Sequence, residues 1–132
     1  MAGLPGAFDR YDIPALRRML DRYKDVSRNT LRENLARFLR KVLPVAEECG
    51  MRMAIHPDDP PRNIMGLPRI VSDADDLGCI TSTVPSAANG ITFCTGSLGA
   101  GPQNDVSALA RGFAGHIHFV HLRNVTKRKF AA

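Results

Sequence analysis

Three short apolar runs dominate the chain: Met51 to Ile55 ending at His56, Gly90 to Cys94, and His116 to Leu122. Segments with a helical period separate them, and no strand-like run follows another directly. Strands too apolar to face water on either side belong to parallel sheets covered by helices. The alternation therefore predicts parallel βαβ units: an α/β fold of about three parallel strands with flanking helices.

The intervening segments carry their own signals. Ile13, Leu16, Met19, Leu20 and Tyr23 recur at spacings of three and four, the stripe of an amphipathic helix. Thr30 and Glu33 stand at capping-box spacing and open a second, longer helix. Leu31, Leu35, Phe38, Leu39, Val42, Val45, Ala46 and Cys49 form its buried stripe. Pro44 should bend it and Gly50 stop it. Ser72 reads as the cap of a helix over 73–80, where Asp73, Asp75 and Asp76 meet the favourable end of the helix dipole. Val106, Leu109 and Phe113 give helical spacing to 105–113. Met1 to Arg10, Pro57 to Pro68 and Gly96 to Gly101 read as loops. The glycine-rich run lacks the P-loop lysine and the order of a dinucleotide fingerprint, so it is not taken for a phosphate cradle.

Composition narrows the function classes. With 132 residues, 44% apolar and 23% charged, the chain can bury one core. It has no apolar run long enough to span a bilayer and no segment resembling a signal peptide, so a cytoplasmic protein without membrane contact is expected. Cys49, Cys79 and Cys94 are odd in number, widely spaced and form no CxxC pair, so reduced thiols are expected. The net charge of +5 comes largely from Arg17, Arg18, Arg22, Arg28, Arg32, Arg37, Arg40 and Lys41. These read as solvated helix faces without interleaved aromatic residues, which argues against nucleic-acid binding. Lys127, Arg128 and Lys129 form a second basic cluster.

The chemistry is concentrated at strand ends. His56, Cys94 and His121 fall at or beside the C-terminal ends of the three predicted strands, the edge where α/β barrels build active sites. Neutral imidazole and thiolate both ligate divalent metals. His116 and His118 compete with His121 for the third position, although strand alternation puts them on the opposite face. Asp58, Asp59, Arg123 and Asn124 are polar groups at the same edge, suited to orienting a carboxylate or hydroxyls. A mixed histidine and cysteine set favours a transition metal over magnesium or calcium and equally admits zinc.

At these residues the chain resembles mannonate dehydratases. The resemblance is carried by Ala54-Ile55-His56-Pro57-Asp58-Asp59-Pro60-Pro61 with Gly66-Leu67-Pro68-Arg69-Ile70. It continues through Asn89-Gly90 and Cys94-Thr95-Gly96-Ser97-Leu98-Gly99, then Asn104-Asp105, and ends at Ile117-His118-Phe119-Val120-His121-Leu122-Arg123-Asn124. Upstream, Gly3-Leu4-Pro5-Gly6, Leu31-Arg32-Glu33-Asn34-Leu35 and Pro44-Val45-Ala46-Glu47-Glu48 also fit.

The resemblance implies part of a (β/α)8 TIM barrel and a hydro-lyase acting in hexuronate (glucuronate) breakdown. Its reaction would convert D-mannonate to 2-dehydro-3-deoxy-D-gluconate with Fe(II) or Mn(II). It maps the metal ligands to His56, Cys94 and His121; of the polar groups at the same edge, Asp58, Arg123 and Asn124 are expected to bind substrate. It also implies that a fourth ligand, an aspartate, and the acid/base residues lie outside these residues, so no catalytic acid or base is assigned. Residues 1–132 are accordingly expected to form a single incomplete barrel domain of a longer enzyme, prone to self-association through open sheet edges and nearly inactive alone. Two other readings stand beside it: a catalytically inactive fragment, and a metal-dependent barrel enzyme of xylose-isomerase type. Cys94 argues against the latter, whose ligands would be mainly carboxylates.

Overall fold

The computed structural model describes residues 12–126. The loop expected over Met1 to Arg10 and the basic cluster at Lys127, Arg128 and Lys129 lie outside the described residues. Two helices come first. Helix α1 spans Ile13–Asp21, capped by the Asp12 carboxylate, which accepts from Ala15 N at 2.7 Å. Helix α2 spans Arg28–Glu48 and runs through Pro44 to its last turn. Its cap is Ser27, whose Oγ accepts from Thr30 N at 3.0 Å, so the helix begins before the Thr30 and Glu33 pair that signalled its start.

Three strands and three further helices follow in the expected alternation. Strand β1 is Met53–Ile55, α3 Ala74–Thr83, β2 Asn89–Cys94, α4 Thr95–Ala100, α5 Val106–Gly112 and β3 Ile117–His121. The strands form one sheet in the order β1-β2-β3, and both pairs are parallel. Two local readings are corrected. Asp73, not Ser72, caps α3 by accepting from Asp76 N, and the run Gly96 to Gly101, expected as loop, is mostly the short helix α4. Leu98 explains the second: it is wholly buried, and helical backbone is what carries it into the core.

Every residue of β2 is buried, as a central strand requires. The core joins Leu39, Leu43 and Ala46 of α2, spaced as one helix face, to Leu77 and Ile80 of α3, Ile91 and Phe93 of β2, and Leu98. Each large side chain buried this way contributes about 1.5–3 kcal/mol. On β3, by contrast, Phe119 and Val120 are exposed. Among the described residues, no helix is long and apolar enough to cross a membrane.

A buried ion cluster ties α2 to α3. Asp76 is fully buried and accepts from Arg28 Nη2 at 2.6 Å, Arg32 Nη2 at 2.5 Å and Ser72 N at 2.9 Å. Burial resists its charge, but these donors prevail and hold its carboxyl below the usual carboxylate range. Arg28 and Arg32, expected on a solvated face, are thus drawn into an interhelical contact.

The register between β2 and β3 slips once. Ile91 pairs with Ile117, but Thr92 pairs with Phe119 and Cys94 with His121, so His118 is an extra residue on β3. This β-bulge is made possible by Gly90, where an added Cβ would stand 2.3 Å from His118 Nδ1 and 2.6 Å from the His116 carbonyl. His118 Nδ1 donates to the Met53 carbonyl at 2.8 Å, which locks the bulge in place. Without the slip, Val120 would stand level with Cys94 in place of His121.

Candidate metal centre

Three parallel strand ends deliver the cluster. His56 follows β1, Cys94 ends β2 and His121 ends β3. One ligand atom from each lies within 4.8 Å of the others. His56 Nε2 is 3.4 Å from His121 Nδ1, which is 3.8 Å from Cys94 Sγ. A tetrahedral ion at roughly 2.0–2.1 Å from nitrogen and 2.3 Å from sulfur would hold its donors roughly 3.3–3.7 Å apart. The observed spacing is close to that.

Proton positions favour the same use. His56 Nδ1 lies 2.7 Å from the Pro57 carbonyl, which can only accept, so Nδ1 carries the proton and Nε2 keeps its lone pair. Cys94 is fully buried and caps α4, its Sγ accepting from Ser97 N at 3.4 Å and Ser97 Oγ at 3.2 Å. Arg123 Nη2 donates to the same sulfur at 3.3 Å. Burial disfavours the thiolate, but the two Ser97 donors and Arg123 outweigh it and lower the thiol to about 7. The same donors thus stabilise the thiolate, the form that ligates a metal.

The neighbouring polar residues divide into two groups. Asp59 Oδ2 accepts from Arg123 Nη2 at 2.6 Å, and that bond keeps Asp59 below the ordinary carboxylate range. Arg123 also donates to Ser97 Oγ at 2.8 Å. Asp58 faces away from this group, into its own loop. Its Oδ2 accepts from Ile70 N, Val71 N and Ser72 Oγ, and its Oδ1 from Arg69. The Asp58 carboxylate thus braces the loop after His56, with both oxygens engaged. Asn124 is exposed, its Oδ1 accepting from Val125 N. His116 is exposed just before β3, and His118 is held in the sheet. Ser97 escaped the sequence reading, which saw only a glycine-rich loop. The signal for it was its place three residues after Cys94, the distance at which a capping side chain meets a backbone donor.

Comparisons with known proteins point to one family. The family model for D-mannonate dehydratase (UxuA) matches residues 1–131. A mannonate dehydratase of Rhizobium meliloti is 52% identical over 97% of this chain and 32% of its own length. One from Chromohalobacter salexigens is 50% identical over 93% of this chain and 32% of its own. The crystal structure of mannonate dehydratase from Streptococcus suis serotype 2 superposes with a TM-score of 0.80 at 40% identity, covering 91% of this chain and 35% of that one. The chain spans about a third of the length of the curated relatives it matches. By its match along almost every residue and its parallel, barrel-like sheet, the chain belongs to the mannonate dehydratase family.

Proposed function

We propose that this chain supplies three ligands, His56, Cys94 and His121, to the metal centre of a hydro-lyase that converts D-mannonate to 2-dehydro-3-deoxy-D-gluconate. The observation that carries the reading is the meeting of these side chains at one edge of a parallel sheet. The relatives are named for that activity, which supports extending it here. The exposed Phe119 and Val120 on β3 support the view that this sheet is one sector of a larger barrel.

Dehydration removes the proton beside the carboxylate and a hydroxyl from the next carbon, and both bonds resist cleavage in water. A divalent ion held by the three residues, Fe(II) or Mn(II) on the family pattern, would supply Lewis acidity against the negative charge that develops. His56 contributes Nε2, fixed by the bond of Nδ1 to the Pro57 carbonyl. Cys94 contributes a sulfur whose negative charge Ser97 and Arg123 stabilise. Asn124 and the 39% exposed side chain of Arg123 are placed to meet hydroxyls or a carboxylate of the substrate. Asp58 contributes by shaping the loop that carries His56.

The test is reconstitution of the purified protein with Fe(II), Mn(II) or Zn(II), measuring bound metal and the 2-dehydro-3-deoxy acid formed from D-mannonate. Iron or manganese should be bound, with turnover expected only in a full-length enzyme, since no acid or base is assigned within these residues. A His56→Ala/Cys94→Ser/His121→Ala variant that retains stoichiometric metal would sink the assignment.

A further inference from the structure

The Cys94 sulfur is held from two sides by groups that the three-ligand reading does not use. Ser97 gives it both a hydroxyl and a backbone donor from the first turn of α4. Arg123 approaches from β3's C-terminal end, and its own placement is over-determined. Thr95 Oγ1 accepts from Arg123 N at 2.9 Å and donates to the Arg123 carbonyl at 2.5 Å, clamping the backbone. Nη2 is then shared among Asp59, Ser97 Oγ and Cys94 Sγ.

Gly96 completes the arrangement. A Cβ there would stand 2.9 Å from Arg123 Cβ and 3.0 Å from Nε, so the missing side chain is the space in which the arginine lies. Cβ is the root of the arginine side chain and cannot swing aside cheaply. Four chain positions, Asp59, Thr95, Gly96 and Ser97, therefore converge on one guanidinium orientation.

We propose that Arg123 and Ser97 are positioning residues that aim the Cys94 sulfur at the metal, with Asp59 and Gly96 fixing the arginine. The inference rests on the proposed metal centre and goes beyond it by giving Arg123 a role on the protein side of the metal. Partners of this kind hold a ligand at its working angle and set the electron density it donates, and their loss typically weakens metal binding roughly 10- to 100-fold. Lysine is no substitute, because its freely rotating ammonium lacks the planar group that lies in the space left at Gly96 and is held there in one orientation.

The experiment is Co(II) titration of the purified protein, followed by the thiolate-to-cobalt charge-transfer band. Arg123→Gln, Arg123→Lys, Ser97→Ala and Gly96→Ala should each weaken binding roughly 10- to 100-fold. They should also move the band to lower energy, since a sulfur stripped of hydrogen bonds gives up its electrons more easily. A purely structural role would not move the band. Asp59→Asn, at a half-exposed side chain, should shift it the same way by less. Unchanged affinity and an unmoved band in Arg123→Gln and Ser97→Ala would overturn the proposal while leaving the metal centre intact. Should either of those two fail to fold, an unmoved band in Asp59→Asn overturns it equally. Absence of any thiolate band in the unaltered protein would instead overturn the ligand role of Cys94, and this inference with it.

Discussion

The molecule contains two clusters in which arginine meets an anion, and they differ in what they leave unused. Between α2 and α3, Arg28 and Arg32 surround Asp76, and both of its oxygens are spent on donors from the chain itself. At the strand ends, Arg123 and Ser97 support Cys94, while His121 Nδ1 stands 3.8 Å from the sulfur and 3.4 Å from His56 Nε2. The first network closes around the carboxylate and holds two helices together, although Arg32 Nε stays buried without a partner. The second gathers three groups, each able to offer an electron pair to one electrophile. Similar residue types thus serve stability where the anion's oxygens are all engaged and chemistry where electron pairs stay available to an electrophile.

Breaking the closed cluster should have the largest effect. Replacing Arg28 and Arg32 together by Met strands the buried Asp76 carboxylate, which typically costs about 3–5 kcal/mol. Urea denaturation should show that loss at neutral pH. In the unaltered protein Asp76 titrates below its unfolded value of about 3.9. Its contribution is therefore present in full above that value and is lost as pH falls through the lower, folded value. In the double variant burial acts unopposed by arginine and raises the folded value, so the deficit should shrink on acidification. A deficit that grows in acid would contradict the account of this cluster.

Opening the strand-end cluster should do the reverse. Cys94→Ser keeps a capping oxygen for Ser97 N, so stability should change by less than about 1 kcal/mol. Metal affinity should fall by more than the roughly 100-fold typical of lost outer partners. Urea and Co(II) titrations on the same sample separate the two effects. Comparable losses of stability and affinity in both variants would erase the distinction between the clusters.

A smaller, mixed effect is expected at Gly90. An added Cβ collides with His118 and the His116 carbonyl, so Gly90→Ala must expel the bulge or deform it. Overpacking of this kind costs about 1–3 kcal/mol. Because the bulge is what sets His121 level with Cys94, metal affinity should fall as well, in contrast to Cys94→Ser, where stability is spared. Full metal affinity in Gly90→Ala would show that the slip in register does not govern the site.

Much of this was readable from the residues alone, and the exceptions share a cause. The strands and their parallel order follow from apolar runs that only helix-covered sheets accommodate, and strand-end position made His56, Cys94 and His121 candidates, the choice of His121 over His116 and His118 resting partly on the family resemblance. What escaped depends on contacts distant in sequence. Ser27 and Thr30 are both competent caps, and the earlier one prevails, extending α2 to include Arg28, which reaches Asp76 forty-eight residues away. Gly96 to Gly101 has loop composition, but the buried Leu98 and the cap from Cys94 make it helical. The bulge at His118 leaves no local mark, since the glycine that permits it sits on the neighbouring strand. Strict alternation along β3 was therefore an incomplete guide to which histidine meets Cys94.

The smallest expected effects sharpen that last point, because the chain has four histidines and geometry separates them into pairs. His118 is engaged through Nδ1 with the Met53 carbonyl across β2. Its replacement by Ala leaves that acceptor short of a partner and frees the bulge, a loss of about 1–3 kcal/mol in stability, accompanied by a modest loss of metal affinity through misplacement of His121. His116 is exposed in the turn before β3, and its backbone N–H, which donates to the Phe113 carbonyl, survives any side-chain change. His116→Ala should stay within about 0.5 kcal/mol of the unaltered protein and bind Co(II) with the same affinity and spectrum. His121→Ala, five residues on, should abolish the histidine contribution to that spectrum. If His116→Ala weakened cobalt binding as much as His121→Ala, the third ligand would be His116, and the register that sets Cys94 beside His121 would have to be abandoned.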